Sequence, residues 1–482
     1  MTYNYEEGLY INGSWAKGVS TIENINPSDI SENIGNVAQA SVEQVNEAIA
    51  AAKTAQPEWE KTPLEHKVNV LQAIGDELIQ RCEELGELLA REEGKSKAEG
   101  KGEIYRSGQF FQYYAAEVLR QIGENAASVR PGIDIDVTRE AVGVVGIISP
   151  WNFPTATAAW KIAPALAFGN AVIWKPANLT PASAVALTEI IHRQGLPAGT
   201  FNLVLGSGGT VGDTLINSKE INAISFTGSV ETGRKIAVAT SANFVKCQLE
   251  MGSKNSLVVA CDADISVAVE AAIAGSFSGT GQKCTASSRL IVMESIHDEF
   301  VEALVKRMAE LKVGHCLEDG IFMGPVSDKA QFDSNFRWIE RAKELGGKLA
   351  FGGEKLSLEK EGYYMSPTLF VDTKNDWDVN QEEVFAPMAC VIKVKDLEEA
   401  IATANDTRFG LTAGIITQSL KTAAIFKKEA QSGCVMVNLP TAGTDYHVPF
   451  GGRKESSFGP REQGSYAKEF YTIVKTAYQK PY

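Results

Sequence analysis

Apolar residues recur every three to four positions over 42–56 and 64–93, which predicts helices with one buried face. A third helix, rich in Phe and Tyr, is predicted over 103–121. The pattern then changes. EAVGVVGIISPWNFP reads as a buried strand ending in a turn, KIAPALAFG as a short helix and NAVIWKP as a strand. TPASAVALTEIIHRQGL reads as a helix with Thr180 as N-cap and Pro181 in its first turn. FNLVLG, INAISFTG and VKCQLEMG follow as strands, with TVGDTLIN and ETGRKIAVATSAN as the helices between them. Such alternation between 142 and 252 predicts a parallel sheet wound with helices. A second series predicts another α/β lobe: SLVVAC, RLIVME, a helix over 296–312, GYYMSPTLFV, APMACVIKV, a helix at 396–405, TAGIIT, a helix at 419–431 and GCVMVN. The terminal SYAKEFYTIVKTAYQKPY is aromatic and β-prone, with few partners near it in sequence, so pairing with another subunit is expected.

At 482 residues a single core is too small a unit, in agreement with two lobes. Sixty acidic against 46 basic residues give a net charge of −14, which argues against nucleic-acid binding. The most apolar stretch, 141–174, is interrupted by Pro150, Asn152, Pro154, Lys161, Pro164 and Asn170, so no membrane span is expected. MTYNYEEGLYING lacks a basic start and an apolar run, so no signal peptide is expected. The seven cysteines are scattered, with no C-x-x-C, which fits a reducing cytoplasm. The five histidines show no metal-binding spacing, and no metal site is expected.

Cys284, in SGTGQKCTASSR, lies among glycines and small residues that permit close approach of a ligand. A thiol there is a candidate nucleophile, although a lone cysteine is more often a small buried hydrophobe. Glu250, in CQLEMGSK, ends an apolar strand at a glycine turn and could act as a general base or be a strand-end charge. Asn152 sits between Pro150 and Pro154, where a rigid amide could donate to an oxyanion or merely stabilise its own turn. Lys175, just after a buried strand, is placed to meet a ribose or phosphate. The turns GSGGTVG and FTGS each join a strand to a helix, where backbone amides can meet a phosphate.

Taken in order, PWNFP, KPAN, GSGGTVG, FTGS, LEMGSK, GQKC, EEVFAP and PFGGRKESSFG resemble the motifs of the NAD(P)-dependent aldehyde dehydrogenase superfamily. The resemblance spans almost the whole chain. It implies two α/β lobes with parallel sheets, one Rossmann-like for the cofactor and one catalytic, plus a small β oligomerisation element. The implied division is 1–119 with 142–251 for the cofactor, 252–458 for catalysis, and 120–141 with 459–482 for assembly into a dimer or tetramer. Cys284 would attack the aldehyde, Asn152 and the Cys284 N–H would hold the oxyanion, and Glu250 would activate the hydrolytic water. Lys175 would bind the adenosine ribose, Ser229 the pyrophosphate, and Glu383 with Phe385 the nicotinamide riboside. Trp151, Asn178, Gly208, Gly212, Phe226, Thr227, Gly228 and Met251 complete the implied cofactor set.

Departures from the family pattern carry information. Ser253 stands where a second glycine is usual, and Ala386 likewise replaces a glycine. Asn178 stands where NAD-preferring members often place a glutamate; without that charge a 2′-phosphate is not repelled, so NADP is the expected cofactor, with NAD as the alternative. Trp160 and Ser278 occupy positions where succinate semialdehyde enzymes typically carry arginine. Phe153, Trp160 and Phe450 would instead line an aromatic tunnel. DYHVPFGGRKESSFGPREQGSYAKEFYT and WKIAPALAFGN resemble bacterial 2-oxoglutarate semialdehyde dehydrogenases of sugar-acid degradation. An anionic substrate of that kind needs a cationic anchor, for which Arg106 and Arg289 are candidates, each equally readable as an ordinary ion-pair partner. A broad aldehyde dehydrogenase for neutral or aromatic aldehydes, a succinate semialdehyde enzyme and a catalytically silent relative are the alternatives.

Overall fold

The computed structural model describes residues 5–481. The five strands expected between 142 and 252 run parallel in the middle of an eight-stranded sheet. Val144–Ile148 lies at the centre, with Ala171–Lys175 and then Phe201–Leu203 on one side, and Ala223–Thr227 and then Lys246–Glu250 on the other. The direction of winding therefore reverses beside Val144–Ile148. A crevice opens there at the carboxyl ends of the strands, the usual place for a ligand in such a sheet. Val145, Ile147, Ile173, Trp174 and Ile224 are fully buried between the flanking helices, which explains the unbroken apolar runs.

A second sheet has seven strands, centred on Asn255–Val259 and Ser287–Met293, with Met388–Val394 and Thr412–Ile416 parallel to them. After completing it the chain returns to the first sheet. Ser457–Phe458 pairs antiparallel to Lys246–Glu250 and sets Ser457 opposite Glu250. A third sheet joins Glu124–Ala127, Asp134–Ala141 and Thr472–Gln479. The terminal strand has a partner within its own chain, lying beside Asp134–Ala141 in full antiparallel register, and its other side forms the edge of the sheet. Only Thr472–Gln479 is extended; Gly464–Tyr471 coils into helical turns that bury Phe470 and Tyr471.

Several boundaries differ from the sequence pattern for identifiable reasons. The helix over 64–93 breaks at Arg81, which leaves helical geometry at φ −100° and ψ 16°. The next helix begins at Lys97, earlier than expected, because Ser96 and Glu99 form a reciprocal capping box. PWNFP does not end in a loop: Pro154 is the first residue of a helix to Ala167, and Glu103 accepts from the Thr155 and Ala156 amides. Thr180 makes no capping bond. Glu92, from a distant helix, accepts from Ala182 and Ser183 instead. GYYMSPTLFV forms a strand only over Thr368–Val371. No helix among the described residues is long and apolar enough to cross a membrane.

Candidate active site

The carboxyl ends of three parallel strands converge on a cavity of about 300 Å3. Pro150–Phe153 arrive after Val144–Ile148, Thr227–Ser229 after Ala223–Thr227, and Glu250–Gly252 after Lys246–Glu250. From the second lobe come Cys284, Glu383–Phe385 and Leu411, and Phe450 closes one side. The three candidates for chemistry, Cys284, Glu250 and Asn152, therefore face one space.

Cys284 follows three consecutive residues in the left-handed region, Gly279, Thr280 and Gly281, at φ near 58°, 55° and 65°. Thr280 is β-branched, so its conformation is strained and must be held by its surroundings. Gly281 admits no side chain, because a Cβ would lie 2.2 Å from the Ala386 carbonyl oxygen. Burial pushes the Cys284 thiol up to about 12, with Glu383 and Glu250 adding to the effect. The thiol is therefore neutral near pH 7 in this state, and it needs a base or relief from those carboxylates to react.

Glu250 is buried, and its carboxylate accepts from the Ser457 hydroxyl across the antiparallel pairing. Burial and the neighbouring Glu462 both hold its carboxyl well above the usual carboxylate range. Glu462 itself pairs with the fully buried Lys161, which also donates to Ser225 at 2.9 Å. A carboxyl with so raised an affinity for protons is a strong base once it is ionised.

Asn152 Nδ2 donates to the Gln282 carbonyl at 2.9 Å, two residues before Cys284. One amide proton is thus used to fix the side chain and the second is left for another acceptor. Lys95, buried and paired with Glu103 at 2.8 Å, donates to the Asn152 carbonyl at 2.7 Å. The same ammonium lies 4.2 Å from the centre of the Phe153 ring.

The implied cofactor residues fall into two groups. Trp151, Thr227, Gly228, Ser229, Met251, Glu383 and Phe385 line the cavity. Ser229 caps the helix Val230–Ala242, and Ser207 caps the turn that begins at Gly208, so two sets of free amides lie at strand ends. Phe226 packs beneath the first of these turns, where a Cβ on Gly228 would come within 2.5 Å of its ring. Lys175, Asn178, Gly208 and Gly212 lie outside the cavity wall. Lys175 and Gly212 adjoin each other, and burial lowers the Lys175 ammonium to about 8. A Cβ on Gly252 would meet the Glu383 carboxylate at 2.1 Å, so a side chain here would displace that carboxylate. Phe385 is held at φ 60° and packs edge-on against Trp151.

Phe153, Trp160 and Phe450 line the cavity as expected. Trp160 continues outward through Phe110 to Tyr446, with ring centres 5.8 and 6.3 Å apart. Arg106 lies over Tyr446 at 5.3 Å and has no carboxylate partner among the described residues. Arg289 is a different case. It is fully buried and donates to the Lys254, Thr403 and Ala404 carbonyls and to Asn375, all away from the cavity. All three nitrogens of its guanidinium are used to tie the second sheet to the helix Leu397–Asn405 and adjoining turns, so the structure does not bring Arg289 to the cavity.

Gln331, Ser334 and Trp338 also line the cavity but were not expected. They sit on Lys329–Glu344, a helix that the sequence pattern left unassigned. Its signals were Asp328 as N-cap and Phe332, Phe336 and Ile339 along one face. Gln331 donates to the Val384 and Phe385 carbonyls and so supports the strained turn. Thr157 and Leu411 were missed because each lies in an ordinary apolar run.

Residues 15–477 match the model of the aldehyde dehydrogenase family. An alpha-ketoglutaric semialdehyde dehydrogenase of Bacillus subtilis is 41% identical over 98% of this chain and 98% of its own. A 2,5-dioxopentanoate dehydrogenase of Saccharolobus solfataricus is 38% identical over 96% and 98%. Among solved structures, betaine aldehyde dehydrogenase from Staphylococcus aureus in complex with NAD+ superposes with a TM-score of 0.96 at 32% identity, covering 99% of this chain and 95% of that one. An E. coli NADP dependent enzyme superposes with a TM-score of 0.95 at 33% identity, covering 99% and 98%.

Proposed function

The chain belongs to the aldehyde dehydrogenase family and is an NAD(P)-dependent oxidoreductase acting on aldehydes; from that premise we propose that it converts 2-oxoglutarate semialdehyde to 2-oxoglutarate through a thioester on Cys284. The observation that carries the substrate is the full-length similarity to relatives named for this aldehyde, at 38–41% identity.

In the proposed reaction the Cys284 thiol loses its proton to solvent, and the thiolate attacks the aldehyde carbon, which forms a thiohemiacetal. The free Asn152 amide proton and the Cys284 N–H hold the oxyanion. When bound, the oxidised nicotinamide supplies the acceptor for the hydride that leaves this carbon, and a thioester remains on Cys284. Glu250 then takes a proton from water, hydroxide attacks the thioester, and the Cys284 thiolate departs as the acid forms. Glu383 and Phe385 would hold the nicotinamide riboside, Ser229 and the neighbouring amides the pyrophosphate, and Lys175 the adenosine ribose. The capped helix ends and glycine turns fit such a ligand. A neutral Asn178 near Lys175 supports NADP over NAD.

For the substrate carboxylate we assign Arg106 as anchor, since the cavity wall contains no lysine or arginine and the Arg106 guanidinium is unpaired among the described residues at the outer end of the aromatic wall. A charge-assisted bond of this kind is worth about 1.5–3 kcal/mol, or roughly 10- to 150-fold. Arg106→Ala is expected to lower kcat/KM for 2-oxoglutarate semialdehyde by about that factor, mainly through KM, and to leave a neutral aldehyde of similar length unchanged. Equal loss on both substrates, or none on either, would remove Arg106 from the assignment. The cation-free wall also favours a second reading, a broad dehydrogenase of neutral aldehydes. Seven unpaired cysteines support a cytoplasmic setting. The exposed Ile473, Val474 and Tyr478 on the edge strand of the third sheet support assembly into a dimer or tetramer.

A further inference from the structure

The segment around Cys284 carries its strain in a particular way. After the three left-handed residues, backbone carbonyls of 282–286 are each engaged from outside the cavity or within the turn. Gln282 is held by Asn152 at 2.9 Å, Lys283 by the Ala286 amide at 3.0 Å, and Thr285 by the Thr441 hydroxyl at 2.7 Å. The remaining two, Cys284 and Ala286, are both held by one side chain. Asn255 Nδ2 donates to the Cys284 carbonyl at 2.7 Å and to the Ala286 carbonyl at 2.9 Å.

Asn255 is itself almost fully buried and spends its whole hydrogen-bonding capacity here. Its Oδ1 accepts from the Ser253 hydroxyl at 2.8 Å and from the Thr412 amide at 3.0 Å. Ser253, the residue that departs from the family's usual glycine, adds two further ties. Its hydroxyl accepts from the Leu411 amide at 3.3 Å, and its own amide donates to Glu383 at 3.0 Å. One amide side chain thus links the nucleophile turn to the start of the Thr412–Ile416 strand and, through Ser253, to the turn bearing Glu383.

We propose that Asn255 is a positioning residue for the nucleophile: by drawing the Cys284 and Ala286 carbonyls to one side, it aims the Cys284 thiol and N–H into the cavity. The role rests on Cys284 being the nucleophile. It follows from donor geometry rather than volume. Asn255→Asp keeps size and the acceptor for Ser253 and Thr412, but at alkaline pH it sets a carboxylate oxygen against two carbonyl oxygens. Asn255→Ala removes the donor without adding charge.

The test measures kcat, KM, cofactor Kd and the rate of iodoacetamide labelling of Cys284 at pH 9 in both variants. Both are expected to lose kcat by at least about 30-fold and to label several-fold more slowly, with cofactor Kd within about twofold of the parent. Should the alanine variant fail to fold, the near-isosteric aspartate variant carries the test alone. Asn255→Asp with kcat and labelling rate within threefold of the parent would overturn the proposal, because shape alone would then suffice. Loss of kcat in step with cofactor affinity would overturn it as well. A failure of the nucleophile assignment is read separately, as residual oxidation by Cys284→Ala.

Discussion

Replacement of Cys284 by alanine is expected to abolish aldehyde oxidation, by at least about 10^4-fold in kcat, while cofactor Kd stays within about twofold of the parent. Cys284 follows the strained 279–281 segment and lines the cavity together with Asn152 and Glu250. Its removal eliminates the covalent step but no group assigned to the cofactor. The change from thiol to methyl is small and Cys284 is only partly buried, so little loss of stability is expected. Stopped-flow measurement of nicotinamide reduction, together with fluorescence titration of the cofactor, checks both halves. Retained turnover, or lost cofactor binding, would count against the assigned role.

Glu250→Gln is expected to separate the two halves of the reaction. Reduced nicotinamide should still appear in a first-turnover burst, followed by a steady state about 10^2- to 10^3-fold slower than the parent, because the thioester lacks its base. Glutamine can still accept from Ser457, so the local pairing survives. The parent should show a matching pH signature. Burial and Glu462 favour the protonated form of Glu250, so the active carboxylate is lost as pH falls and gained as pH rises through its raised pKa. The steady-state rate should therefore climb with pH above the usual carboxylate range, and that limb should vanish in Glu250→Gln. An absent burst would place Glu250 before hydride transfer. An unchanged pH limb would assign the titration to another group.

The residues at the ends of the parallel strands were legible in the sequence because their signal is local. A buried run followed by a glycine or proline turn marks the carboxyl end of a strand, and ligands gather there. Glu250, Lys175 and the turn at Thr227–Ser229 carry that signal. Cys284 lacks it, since no strand precedes it. Its peptide became informative only beside the other motifs. Contacts made at long range left no such mark. Glu92 replaces Thr180 as the cap of a distant helix, and Ser457 reaches Glu250 from more than two hundred residues away. Arg289 and Arg106 show the limit most clearly. In sequence they are two arginines near the motifs, but one is consumed by three backbone carbonyls and an amide, and the other lies unpaired on an aromatic ring among the described residues. Only the packing of separate loops distinguishes them.

The central claim is tested most directly by initial rates of nicotinamide reduction with 2-oxoglutarate semialdehyde, succinate semialdehyde and a neutral aldehyde of similar length, each with NADP and NAD. The account predicts the highest kcat/KM for the 2-oxo acid semialdehyde with NADP. A neutral aldehyde oxidised equally well or better would contradict the substrate assignment and leave a general aldehyde oxidiser with an aromatic tunnel.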